Sequence, residues 1–420
     1  MICNLAQYIE GASLPVYTNR GMTTRIYMNN AATPLALKPV MEKVNKNVPW
    51  LTYVNAPGYL GDCTTAKYEE TRLTALDFVG ADDACDDCVF TQNATDGINL
   101  LANLYLQDDP KGGMITTCME HMANYLPFTT QFNTEVVPLT EDFSLDLPAL
   151  EALLQKGNTK LVTVTGASNV SGVTPNIYMI ARMAHQYGAK ILVDAVQLVQ
   201  HKPFDMKPHY DPEHIDFVTF SAHKCYTPFD GGVLIGPKAF LERFEPFLTG
   251  SGVTKFVNQN RVIYKDPPPR YEPGYPDIFG IMAMGEALDF LTCIGMDEIR
   301  DYERNLRDYA MDCLSQNPKL TIYAEDNPQA TIPIIAFNVE GKYYKDVARQ
   351  LADDYGIEVG AGTVGANIYV QDMMEVTPEE AYAAYLAGRP YGLVRISMGM
   401  YNTYEEVQRL TKAVWEIAYS

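Results

Sequence analysis

The chain has 420 residues, 47% of them hydrophobic and 20% charged, a balance that excludes a disordered polypeptide and provides apolar material for two packed domains. A formal net charge of −20 argues against nucleic acid or an anionic membrane as partner, since both carry charge of the same sign. Eight scattered cysteines do not make a secreted disulfide framework, and Cys85-Asp86-Asp87-Cys88 lacks the second pair or the histidines of a zinc site, so no metal is expected. Met1-Ile2-Cys3-Asn4-Leu5 has no basic region leading into an apolar core, and no apolar run reaches the roughly 18–20 residues of a membrane helix, so the expectation is a cytoplasmic protein with reduced thiols.

In chain order, Arg25-Ile26-Tyr27-Met28 reads as a short strand entering the polar turn Asn29-Asn30-Ala31-Ala32-Thr33-Pro34, with a helix following over 38–46. Residues 53–62, which include Pro57, Gly58 and Gly61, read as an open loop. Residues 64–79 have helical spacing, with Tyr68, Leu73, Leu76 and Phe78 available to one face. From Val89 onward short apolar runs alternate with helical ones: Val89-Phe90-Thr91 before a helix to Leu106, Gly113-Met114-Ile115-Thr116 before one to Phe132, and Lys160-Leu161-Val162-Thr163-Val164 before one over 177–187. Ile191-Leu192-Val193, Phe217-Val218-Thr219-Phe220 and Gly232-Val233-Leu234-Ile235-Gly236 add three strands. Their unbroken apolarity suits a sheet covered on both faces. Asp266-Pro267-Pro268-Pro269-Arg270 is a stiff connector, and a long helix over 278–291 continues after a break to Leu314. Strands over 332–339 and 393–397 and helices over 344–355 and 403–418 complete a smaller α+β part. The expected division is an N-terminal segment, 1–25, packing on the small domain; a large domain, 26–290; and a small domain, 291–420.

The chemistry gathers at Phe217-Val218-Thr219-Phe220-Ser221-Ala222-His223-Lys224. A lysine at the end of a buried strand pays for desolvation and tends to lose its proton, which makes its amine a nucleophile. Such an amine forms a Schiff base with a carbonyl, and pyridoxal 5′-phosphate (PLP) is the commonest carbonyl cofactor held in this way. The stretch alone is equally well an ordinary strand end with a surface lysine, so the other needs of the cofactor have to decide. Thr91-Gln92-Asn93-Ala94-Thr95-Asp96-Gly97, just before a helix, offers backbone donors and the Thr95 hydroxyl to a phosphate, within reach of Ser221 and His223. Asp194, closing an apolar strand, could partner a protonated pyridine nitrogen, although alone it reads as a helix N-cap. Gln197 and Asn169 could donate to the ring oxygen, and His121 offers a flat face for stacking. Arg395, in Val394-Arg395-Ile396-Ser397, is a two-pronged clamp for a substrate carboxylate, or else half of a salt bridge within its own domain.

In this order the pieces resemble fold-type I PLP enzymes of the class V aminotransferase family, in its cysteine desulfurase and selenocysteine lyase branch. The resemblance rests on Tyr27-Met28-Asn29-Asn30-Ala31-Ala32-Thr33, Phe90-Thr91-Gln92-Asn93-Ala94-Thr95-Asp96, Glu120-His121-Met122-Ala123-Asn124-Tyr125-Leu126-Pro127 and Ser168-Asn169-Val170-Ser171-Gly172. It continues through Val193-Asp194-Ala195-Val196-Gln197, Phe220-Ser221-Ala222-His223-Lys224, Arg270-Tyr271-Glu272-Pro273-Gly274 and Val394-Arg395-Ile396-Ser397. It implies an α/β fold, a mainly parallel central sheet with flanking helices plus a smaller α+β C-terminal domain, and a homodimer with the active site at the interface. It further implies Lys224 as the Schiff-base lysine and acid/base, Asp194 as the pyridinium partner and His121 as the stacking group. Ala94, Thr95, Ser221 and His223 would hold the phosphate, with Asn169 and Gln197 beside the ring, and Arg395, Ala31 and Asn169 the amino-acid substrate.

Four positions depart from the family. Val359-Gly360-Ala361-Gly362-Thr363-Val364-Gly365-Ala366-Asn367 lies where desulfurases carry a loop resembling RTGHHCAQP, with Gly360 for its arginine and Gly365 for its persulfide-forming cysteine; no thiol follows Cys313. Cys225, beside Lys224, should point away from it in an extended backbone. Asn29 replaces the usual aspartate, and Tyr275 stands where the family places a threonine that reaches the partner subunit's phosphate. The chemistries left open are β-elimination, as in C–S lyases, transamination and epimerisation at the α-carbon. Outside these stand a desulfurase using another thiol and a non-catalytic PLP-binding scaffold. The glycine-rich loop suggests extra room for a substrate bulkier than cysteine.

Overall fold

The computed structural model describes residues 5–420, so the reading of the first four residues as no leader lies outside the described residues. A seven-stranded sheet runs in the order Asp86–Thr91, Gly232–Pro237, Phe217–Ser221, Lys190–Asp194, Thr159–Thr165, Gly113–Thr117 and Thr134–Val137. The last five of these are mutually parallel; Gly232–Pro237 is antiparallel to both of its neighbours. Phe217–Ser221 is buried along its whole length, as its unbroken apolar run requires of a strand covered on both faces. Parallel strands end on one edge, where α/β sheets bind their ligands. Ser221, Asp194, Thr165 and Thr117 all close strands on that edge.

A five-stranded sheet follows, in the order Leu320–Tyr323, Ile334–Val339, Leu393–Ser397, Ile357–Gly362 and Ile26–Met28. Assigning residue 26 onward to the large domain therefore needs correction: Ile26–Met28 is a parallel edge strand of the second sheet, with Ile357 opposite Ile26 and Val359 opposite Met28. All three of its residues are buried, and the second sheet is where that surface is covered. Of the N-terminal segment, the hairpin Pro15–Thr18 with Gly21–Thr24 has Arg20 reaching Glu416 and Tyr355. Ile9 instead lies in the main core, bridged to Leu37, and Tyr8 packs edge-on to Phe290.

Most helices start where polar residues can cap them. Asn93 accepts from Asp96 N ahead of Ala94–Asp108, and Thr403 with Glu406 forms a reciprocal capping box ahead of Tyr404–Ala418. The loop expected over 53–62 ends sooner, because the helix Tyr59–Phe78 begins within it. Gly61 permits this start: a Cβ there would fall 1.8 Å from Ala56 O. Leu73, expected on the buried face, is 56% exposed; Thr71, Arg72 and Ala75 turn inward instead. Helix Ile278–Ile294 is apolar nearly all round because it packs between Tyr59–Phe78 and Lys38–Asn47, and the chain bends by 78° into Met296–Leu314. Among the described residues no single helix is long and apolar enough to cross a membrane. Strands Thr134–Val137, Leu320–Tyr323 and Ile357–Gly362 and helices Leu147–Leu154, Asn367–Met373 and Pro378–Leu386 were not anticipated. Each is short and only partly apolar, and periodicity is weakest there.

Candidate active site

A cavity of about 500 Å³ opens where the parallel strands end and the second sheet closes over them. Ala31, Ala94, Thr95, His121, Asn169, Asp194, Gln197, Ser221, His223, Lys224 and Arg395 all line it, so the structure brings every site residue expected from the sequence to one place. Asn29, Ala32, Thr165, Asp230, Gly360, Ala361 and Val364 join them. Asp230 carried no local signal, since it stands in no motif that marks a site, and Val364 was marked only by its place in the 359–367 loop.

At one end, the fifteen-residue helix Ala94–Asp108 points its N-terminus into the cavity. Its first amide, Ala94 N, donates to Ser221 Oγ at 2.8 Å. Gly232 lets the sheet approach this turn: a Cβ there would lie 2.6 Å from the Asn93 α-carbon. The His223 imidazole, pushed down to about 4 by burial and by the neighbouring Lys224 charge, is neutral near pH 7.

Lys224 follows Ser221 in a single 3-10 turn, which carries its amine back over the cavity floor. Nζ donates to the carbonyls of Ala31 and Ala32 at 2.7 and 2.6 Å. Burial and the nearby Arg395 charge bring the amine down to about 7, with Asp194 opposing them. Asp194 is 5% exposed and accepts only from Val196 N at 3.1 Å; burial lifts its carboxyl to about 6. Among the described residues it has no salt-bridge partner, and the Lys224 charge offsets its burial only in part. Gln197 donates to Ala31 O at 2.7 Å and leaves its buried Oε1 unpartnered.

His121 caps the helix Met122–Thr129, its Nδ1 accepting from Ala123 N at 3.2 Å. Burial and the Lys224 and Arg395 charges push the ring down to about 4, so it is neutral and carries its proton on Nε2. That nitrogen meets Gly365, where an added Cβ would fall 2.2 Å away. Gly365 has φ +83° and Val364 φ 44°, and the loop is tied down by Met122 N to Gly365 O at 2.7 Å and by Asn169 Nδ2 to Val364 O at 2.7 Å. The expectation of extra room from these glycines is overturned. The space that a side chain at 365 would use holds His121, and a Cβ at Gly360 would come within 3.0 Å of Arg395 and of Asn29 Oδ1. The glycines bring the loop backbone in close.

Arg395 is 2% exposed and pairs with no carboxylate among the described residues, so the salt-bridge alternative does not describe it. Nη1 donates to Asn169 O and Nη2 to Asn29 Oδ1, both at 2.9 Å, and Nε has no partner. Cys225 points into the core, fully buried, with its thiol pushed up to about 12 by desolvation; none of the described cysteines lines the cavity. Tyr275 lies outside the cavity, 62% exposed, with its ring 5.6 Å from that of Tyr53.

Comparison with known proteins agrees with this architecture. The family model for Aminotransferase class-V matches residues 26–410. A cysteine desulfurase of Shigella sonnei is 34% identical over 361 residues, covering 84% of this chain and 83% of that one. The apo structure of a cysteine desulfurase from Thermococcus onnurineus superposes with a TM-score of 0.84 at 28% identity, covering 94% and 95% of the two chains. An Escherichia coli cysteine desulfurase in its S-sulfonic acid form gives 0.80 at 27% identity, with 94% of each chain covered. With 385 consecutive positions under one family model and the same fold in those enzymes, the chain belongs to the class-V aminotransferase family, whose members are PLP-dependent enzymes.

Proposed function

We propose that this enzyme acts on the α-carbon of an amino acid and, having no persulfide relay, releases the β-substituent directly, as a C–S lyase does. The observation that carries this is at residue 365: the position corresponding to the relay cysteine is a glycine whose missing side chain leaves room for His121 Nε2. Cys225, the other candidate thiol, is shut in the core.

The cavity suits PLP on features of its own. Asp194 is buried with no salt-bridge partner among the described residues and complements a protonated ring nitrogen, and Ala94 and Thr95, at a helix N-terminus beside Ser221 and His223, suit a phosphate; the Gln197 amide donates to Ala31 O, so it does not supply the donor expected for the ring oxygen. When bound, PLP supplies an electron sink that acidifies the α-proton of an amino acid. Lys224 holds the cofactor through Nζ and then serves as base, its amine near 7 able to take and return a proton under physiological conditions. His121 would stack on the bound ring, and its neutral imidazole leaves the cationic character of the site to Arg395. Arg395 receives the substrate carboxylate, for which its buried and acid-free surroundings leave it a strong demand. The loop 360–366 keeps water from the reacting centre by lying against His121 and Asn169.

Homodimerisation and a cytoplasmic location belong to the same proposal. The exposed apolar residues Phe247, Leu248 and Tyr275 beside the phosphate-end helix are a surface that a second copy would cover. The test is to incubate the PLP-loaded protein with L-cysteine and L-cystine and to follow pyruvate, ammonia, sulfide and alanine. Pyruvate as the co-product of sulfur release supports elimination; alanine in its place overturns it. A purified protein that stays colourless with added PLP, or a Lys224→Ala variant that remains yellow after dialysis, overturns the role given to Lys224.

A further inference from the structure

Asn29 and Asn30 are adjacent amides with opposite fates. Asn30 spends both ends on the fold: Nδ2 donates to Ser397 O at 2.8 Å and to Asn402 Oδ1 at 3.1 Å, and Oδ1 accepts from the Tyr401 hydroxyl. Asn29 bridges in parallel to Ser397 and turns its side chain into the cavity. Its Oδ1 accepts from Arg395 Nη2 at 2.9 Å, and the orientation of the amide is fixed by chemistry, because a guanidinium can only donate. The amide nitrogen is therefore turned away from Arg395 and donates to no described protein atom. Arg395 keeps Nε and further N–H bonds unused and meets no carboxylate.

We propose that Asn29 is a specificity-determining residue: its side-chain amide and the Arg395 guanidinium together form a cradle for the substrate α-carboxylate, with Asn29 Nδ2 donating to it directly. This rests on the reading of Arg395 as the carboxylate anchor. An aspartate at 29 would occupy the same volume and still accept from Nη2, but it would neutralise the guanidinium from within the protein. It would also present an acceptor where the substrate's oxygen needs a donor. The amide orients Arg395 without spending its charge, and that charge stays available to an incoming carboxylate.

The test uses the PLP-loaded enzyme and two probes, L-alanine and ethylamine, which is alanine without its carboxylate. Binding is followed by the change in cofactor absorbance. The wild-type protein should bind L-alanine more tightly, and Asn29→Asp should reduce the L-alanine/ethylamine affinity ratio by about tenfold or more, as expected for a charge-assisted hydrogen bond replaced by a like-charge contact. Asn29→Ala, which loses the donor but leaves the guanidinium charged, should reduce the ratio by a smaller factor. If Asn29→Asp binds PLP but keeps the ratio within about twofold of wild type, the cradle is wrong. If Arg395→Gln also leaves the ratio unchanged, the fault lies in the carboxylate-anchor reading on which the cradle depends. Should Asn29→Asp fail to fold, Asn29→Ala with an unchanged ratio overturns the proposal equally, since alanine removes the donor.

Discussion

The α-carbon of Gly365 sits so close to His121 that a Cβ built on it would fall 2.2 Å from Nε2, while its carbonyl accepts from the next residue of that helix, Met122 N, at 2.7 Å. The loop and the imidazole are thus packed backbone to ring, and any side chain at 365 has to displace one of them. Gly365→Ala should fold, because the loop lies over the cavity and outside the core, yet lower kcat/KM by about tenfold, the cost of overpacking a well-filled contact. Gly365→Cys should not restore a sulfur relay: with L-cysteine, it should yield no alanine above wild type.

The Lys224 amine sets a pH dependence. Free lysine is protonated up to about pH 10.5, whereas burial beside Arg395 brings this one to about 7. Below pH 7 the amine is charged in both the folded and the unfolded chain. Between about 7 and 10.5 the unfolded chain binds the proton and the folded one does not, so the apo protein gains stability as pH rises through that window. The rate of PLP uptake by apo protein should rise through pH 7 and level off well below pH 10, as measured by absorbance in stopped flow. A rise that continues to pH 10 would show an unperturbed amine.

Asp194 has no cation of its own, and its carboxyl is raised to about 6 by burial. Asp194→Asn keeps the shape and removes the charge that would hold a proton on a neighbouring ring nitrogen. The variant should still bind PLP through Lys224 but exchange the α-proton of an amino acid for solvent deuterium about a hundredfold or more slowly, read by NMR in D2O.

Glu272 lies in the Arg270-Tyr271-Glu272 motif but outside the cavity. It accepts from Arg72 Nη1 at 2.7 Å and from Phe90 N at 2.8 Å, tying the helix Tyr59–Phe78 to the strand Asp86–Thr91. The side chains of Arg72 and Glu272 are 7% and 10% exposed, so Glu272→Ala leaves the buried guanidinium with only Glu69 and the Cys88 carbonyl and should lower stability by about 3 kcal/mol in urea denaturation. PLP content of the folded fraction should be unchanged, since neither residue lines the cavity.

Much of this protein was legible along the chain because its signals are local. An unbroken apolar run followed by a polar residue marks a covered strand and its active edge, and this places Asp194, Ser221 and Lys224 before any fold is known. The polar stretch Thr91–Gly97 just before a helical run pointed to Ala94 and Thr95 in the same way, because a helix N-terminus offers unpaired amides to an anion. The relationships that decide the chemistry are between residues far apart in sequence, and local pattern does not carry them. Asn29 and Arg395 are 366 positions apart, and Asn169 and Val364 are 195 apart. Only folding shows that Arg395 is left without an acid, that the glycines of the 360–366 loop are filled spaces, and that Ile26–Met28 belongs to the second sheet. Sequence supplied the reacting groups at strand ends; packing at the junction of the two sheets determined what those groups are free to bind.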